Sequence, residues 1–145
     1  MNSNRIAALL RSGELRQMSR DLPRSRSLVS SAEKNAAAAL QIALSDGTST
    51  VIFKEIYDSI RQSGDAMWWL IGYEPKSHSA SLEILREDAQ VSDKVSLENL
   101  QRFKNMRNDS EYSGYTVSVA QAREIVDFWK TTGLELLKWM KKRVA

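Results

Sequence analysis

The densest run of chemically capable side chains lies at Met106–Tyr115, read Met-Arg-Asn-Asp-Ser-Glu-Tyr-Ser-Gly-Tyr. Arg107 and Asn108 are residue types that grip a phosphate: a planar guanidinium for bidentate contacts and a carboxamide for flanking hydrogen bonds. With Asp109, Tyr112 and Tyr115 they form the candidate set for binding a phosphate-bearing ligand. Arg107 and Tyr112 are the pair that would act if the site were catalytic. Composition closes off other chemistries. The chain has no cysteine, which removes disulfides, thiol catalysis and cysteine-held zinc. Its single histidine, His78, cannot build a multi-histidine metal site alone, so no metal and no cofactor is expected. His78 lies between Ser77 and Ser79 at an expected helix start, where a structural role is expected.

The elements that would position these residues are helices. Six glycines and two prolines in 145 residues, with abundant alanine, leucine, arginine and lysine, favour helix over a many-turned β architecture. Residues 4–12 predict a short first helix, Glu14–Arg20 a further turn or two, and Asp21–Ser27 an internal linker around Pro23. Ser30-Ser31-Ala32-Glu33 reads as a capping box ahead of an alanine stripe, Ala32, Ala36, Ala39 and Ala43, that ends at Asp46-Gly47 with Gly47 left-handed. Phe53, Ile56, Tyr57, Ile60, Gly64, Met67, Trp68 and Ile71 keep helical spacing across a long helix from about Thr50 to Ile71, stopped by Gly72. Trp69 and Leu70 fall off that stripe and suggest a second packing partner, another subunit being one.

A shorter helix is predicted over Ser79–Asp88, another from a Ser96 cap through Arg107, and a last one from the capping box at Ser118 along Ala122, Ile125, Trp129, Leu136 and Met140. No strand is predicted. The expected fold is all-α, an up-and-down bundle of about five or six helices in one domain over 1–145, with a basic helix and linker at 1–27 and a core bundle at 28–145. With Leu97 at zero and about 100° per residue, Leu100, Phe103 and Arg107 fall near 300°, 240° and 280°. Arg107 therefore projects from the apolar arc. Burying it unpartnered would cost several kcal/mol, so it must meet helix carbonyls, a carboxylate such as Asp109 or Glu111, or an anion.

Charge is uneven. Residues 1–26 carry a local +4 and Lys138–Arg143 another +4, leaving the middle at −5 within a net +3. Basic ends attract phosphate backbones; solvated faces are the plainer explanation. No run of about 18 apolar residues exists, so no membrane span is expected. Ile6–Leu10 is too short for a signal-peptide core, and the expected location is cytoplasmic.

Several of these features together carry a family resemblance. Arg107-Asn108-Asp109-Ser110-Glu111-Tyr112 resembles the Arg signature of small prokaryotic HEPN domains, the type often paired with a minimal nucleotidyltransferase. Tyr57-Asp58, Gly72-Tyr73-Glu74-Pro75-Lys76-Ser77-His78-Ser79 and Val117–Phe128 resemble the family's long helix, the turn that follows it and its last helix. The similarity extends from about Ser30 to Met140. It implies a homodimer with two Arg motifs facing each other across a cleft, a toxin–antitoxin or defence setting, and a nucleotidyltransferase antitoxin as partner. Ribonuclease members carry a histidine that would stand at 112–114, where this chain has Tyr112, Ser113 and Gly114. The resemblance therefore implies RNA or nucleotide binding at Arg107. A metal-independent RNase with an atypical site, and a protein-interaction module without nucleic-acid activity, are the alternatives.

Overall fold

In the computed structural model the chain is organised on one helix, α3 (Ser49–Ile71), whose apolar stripe meets a neighbour on nearly every side. Residues 1–145 are described, the side chain of Tyr112 lying outside the described residues. Ile52, Phe53, Ile56, Tyr57, Ile60, Met67 and Trp68 are each no more than 1% exposed. Burial of apolar side chains of this size contributes about 1.5–3 kcal/mol apiece. Gly72, at φ 95°, ends α3 in the left-handed conformation that an L side chain resists.

Along α3 lies α2 (Leu22–Leu40), with Ala32, Ala36 and Ala39 buried, so the alanine stripe does bring two backbones close. The hydroxyl of Ser25 donates to the Ala66 carbonyl at 2.8 Å across that contact. The expected linker at Asp21–Ser27 is instead the first turn of α2. Asp21 caps it by accepting from the Arg24 N–H at 2.9 Å, and Pro23 sits in the opening turn, where its missing N–H costs nothing. Ser30–Glu33 is consequently helix interior, and α2 ends at Leu40 rather than Asp46. Gly47 does not have the positive φ expected of it; the glycines that do are Gly13, Gly72 and Gly114.

A small antiparallel sheet was not predicted. β1 (Leu15–Gln17) pairs with β2 (Tyr73–Pro75) in the register Leu15–Pro75, Arg16–Glu74, Gln17–Tyr73. Three residues are too few to display an alternating pattern, and Leu15, 3% exposed, is the one side chain of β1 in the core. The pairing continues on both sides, Met18 N–H to Gly72 O at 2.9 Å and Lys76 N–H to Glu14 O at 2.8 Å. Together with α1 (Ser3–Arg11), whose Leu9 is fully buried, it ties the N-terminal segment to the core and clips the chain just ahead of α4 (His78–Asp88).

α4 crosses α3 at Gly64. A Cβ at that position would stand 1.8 Å from the Ser81 carbonyl oxygen, so the two backbones touch. The Trp68 indole donates to Ala80 O at 2.7 Å beside the crossing. A 3-10 turn (Lys94–Glu98) leads into α5 (Asn99–Tyr112), which runs five residues beyond the predicted stop at Arg107. α6 (Val119–Phe128) opens with the predicted capping box, Ser118 and Gln121 each accepting from the other's backbone N–H. A π turn (Trp129–Gly133) then joins α6 to α7 (Leu134–Arg143), giving an all-α bundle of six helical rods with one minor sheet. Among the described residues no helix is long and apolar enough to cross a membrane.

The second packing partner expected for Trp69 lies within the chain. Trp69 is 7% exposed, with the Arg24 guanidinium 4.2 Å from its ring centroid, so α2 covers it. The other tryptophans, Trp68, Trp129 and Trp139, are buried as packing residues.

Candidate functional site

Three elements converge on one polar cluster. On α3, Tyr57, Arg61 and Asp65 follow one another at four-residue intervals and share a face. His78 is the first residue of α4; the Ser77 hydroxyl caps that helix by accepting from the Ala80 N–H at 3.0 Å, and donates to the Glu14 carboxylate at 3.0 Å. From α5 come Lys104, Arg107 and Glu111, again one stripe.

The centre of the cluster is a Tyr57–His78 pair. The phenol oxygen lies 3.2 Å from Nδ1 of the imidazole, and Tyr57 is fully buried. Burial pushes the Tyr57 hydroxyl up to about 12, so it stays protonated. Burial also lowers the His78 pKa, and the positive charge of Arg61 pushes the same way, as do Arg107 and Lys104; Asp58 opposes them. His78 is therefore neutral at pH 7. When the phenol donates to Nδ1, the ring proton resides on Nε2.

Two guanidinium groups flank this pair. Arg107 is 13% exposed, and its Nη1 donates to Glu111 Oε2 at 2.5 Å, so the carboxylate foreseen as its partner is the one four residues on. Arg61 donates from Nη1 to Asp65 Oδ2 at 3.2 Å. In both arginines Nε is buried and has no hydrogen-bond partner among the described residues. Asp65 also accepts from the Ser81 hydroxyl. Burial raises its pKa, against the effect of Ser81 and Arg61.

The residues expected to act together are divided by the helix. Arg107 and Glu111 face α3 and α4. Asp109, about 200° round α5 from Arg107, lines a separate crevice of about 280 Å³ with Met106, Ser110, Tyr115, Thr116, Val117 and Gln121. Tyr115 is 69% exposed there, so Asp109 and Tyr115 line a different surface from that of Arg107. Asn108 is half-buried on α5. The Tyr112 side chain, the proposed catalytic partner, lies outside the described residues.

Arg61, Asp65, Ser81 and Lys104 were missed by sequence reasoning. Arg61 and Asp65 carried a signal, a charged pair about one helical turn apart beside the apolar stripe of α3, next to Tyr57. Nothing local could have paired them with α5.

The basic N-terminal segment is largely engaged within the fold. Arg5 binds Glu83, Arg16 lies 3.2 Å from Glu74, Arg24 sits over Trp69, and Arg26 donates to Val144 O at 2.7 Å. Among the described residues no group of three or more acidic or histidine side chains is placed to hold a metal ion. Comparison with protein-family models, with curated proteins and with solved structures gave no match.

Proposed function

We propose that this chain binds RNA or a nucleotide through its phosphate at Arg107, as a HEPN-type bundle of a toxin–antitoxin or defence pair in the cytoplasm. One observation carries the ligand class: the Arg107 side chain is only 13% exposed, with its Nε–H buried and unpartnered among the described residues. A buried charged donor left unpaired is costly, and an anion that reaches it removes that cost. The homodimer and the nucleotidyltransferase partner rest on the motif resemblance. Light scattering tests the first, and a single-chain mass would remove it.

The experiment for the binding reading is fluorescence anisotropy of labelled single-stranded RNA and of a labelled nucleotide at low salt. Arg107→Ala keeps the helical circular dichroism of the parent and weakens binding by roughly 10- to 100-fold, the worth of a charge-assisted contact of about 1.5–3 kcal/mol. Unchanged retention in that variant sinks the reading.

A second reading, the metal-independent RNase, is favoured by the Tyr57–His78 pair. The base missing from 112–114 has a substitute in space: a neutral imidazole close enough to Arg107 to feel its charge. In the tautomer whose Nδ1–H donates to the Tyr57 oxygen, Nε2 is bare and can accept a ribose 2′-hydroxyl proton, and a guanidinium stabilises charge on the phosphorane. Incubation of RNA with the protein in EDTA decides it: 2′,3′-cyclic phosphate ends that disappear in His78→Gln support cleavage. Their absence at high protein concentration eliminates it.

A further inference from the structure

We infer that the Arg61–Arg107 cluster takes a terminal phosphate, the phosphomonoester end of a nucleotide or of a 5′-phosphorylated strand, and that His78 takes up a proton as this anion enters. The inference rests on the phosphate-binding reading above and narrows it to one kind of phosphate.

Three observations lead there. The first is which edge of each guanidinium is unpaired. Arg61 and Arg107 come from different helices, and each is tethered at Nη1 by the carboxylate four residues along. The Nε–Nη2 edge, the side-on face used for bidentate grip of an oxyanion, keeps its Nε–H buried and unpartnered among the described residues in both. The two tethers hold both side chains in place before a ligand arrives, which lowers the entropy cost of gripping it.

The second is depth. With side chains 13% and 30% exposed, Arg107 and Arg61 show little of themselves to solvent. A small end group needs the least room to reach them. A phosphodiester inside a strand is substituted on both sides and would have to bring two nucleosides with it.

The third is charge balance. Around His78, Arg61 on α3 and Lys104 and Arg107 on α5 place three positive charges against one negative, Asp58, while Asp65 and Glu111 pair with the two arginines. A phosphate dianion entering this partly buried cluster reverses the field that His78 feels and favours its protonated form. Tyr57 suits either state, because its hydroxyl donates to a bare Nδ1 and accepts from a protonated one. The lowered affinity of His78 for a proton in the free protein leaves that uptake to be driven by the ligand.

The test is isothermal titration calorimetry of the full chain between pH 6.5 and 8, where a phosphomonoester is mostly dianionic (second pKa about 6). Probes are AMP, adenosine, the dinucleoside phosphodiester ApA, and an RNA oligomer with either a 5′-phosphate or a 5′-hydroxyl. Each titration is run in two buffers of different ionisation enthalpy. The expected result is that AMP or the 5′-phosphorylated oligomer binds at least tenfold more tightly than its phosphate-free or diester counterpart. Affinity rises toward pH 6.5 by up to tenfold per unit, and the buffer dependence reports uptake approaching one proton. Binding of both probes marks the phosphate alone as the ligand; binding of the oligomer only marks a strand end. His78→Gln flattens the pH profile, and Arg61→Lys, which keeps the charge but not the fork, weakens the monoester. Equal binding of monoester and diester, or binding without proton uptake, overturns this inference and leaves the phosphate-binding reading standing. Failure of the parent protein to bind any phosphate-bearing probe overturns both.

Discussion

His78 gives the site a measurable signature in the protein without ligand. Its pKa in the fold lies below the ordinary 6.5, chiefly through burial and then through Arg61. Between that lowered value and 6.5 the unfolded chain holds more protons than the folded one, so stability rises with pH across this window. The contribution is complete above 6.5 and is lost as pH falls through the folded value. Thermal melts at pH 7 and pH 5 should therefore show a larger drop for the parent than for His78→Gln. An equal drop would mean that the imidazole titrates as it does in the unfolded chain. Asp65 has the opposite sign. Its raised pKa makes the fold hold a proton that the unfolded chain releases above the ordinary 3.8, so it lowers stability as pH rises through that range. Both proteins carry Asp65, and it cancels in the comparison.

At the scale of elements the crossing of α3 and α4 sets the geometry of the cluster. Arg61 and Asp65 flank Gly64, and Ser81, which bonds Asp65, supplies the carbonyl that a Cβ at 64 would strike at 1.8 Å. That neighbour is backbone and cannot swing aside, so Gly64→Ala must push the helices apart. The variant should lose about 2 kcal/mol or more in denaturant unfolding and also weaken phosphate binding. Parent-like stability would show that the crossing is looser than it looks. The same crossing shows what sequence could and could not supply. The α3 stripe was legible because 23 residues repeat one pattern and a glycine ends it. The start of α2 was misread because Ser30–Glu33 imitates a cap while the true one, Asp21 with Pro23, resembles a linker. Arg107 stood out through its angle on α5. His78, Arg61 and Arg107 could not be joined by any local pattern, since their encounter depends on how three helices cross.

For the molecule as a whole, core formation and site assembly are one process. Tyr57 belongs to the same buried cluster as Phe53 and Ile60, stacks in parallel on Phe53, and yet meets the imidazole at its hydroxyl. The large exposed apolar residues include Val51, Val95 and Leu134, and Trp69, once the candidate for a subunit contact, is under Arg24. The last rod carries a consequence of its own. Its π turn at Trp129–Gly133 accommodates one residue more than an α-helical turn does, and Gly133 has no Cβ because one would meet the Trp129 ring at 2.7 Å. That makes the turn a tolerated insertion, a place where the chain's length can change without changing its phase. Deleting the exposed Thr131 should convert the turn to regular helix and leave Leu136, Leu137 and Met140 still facing inward. Deleting Glu135 instead rotates everything after it by about 100° and turns those residues toward water. Melting temperatures of the two deletions measure the difference directly: the first close to the parent, the second far below it.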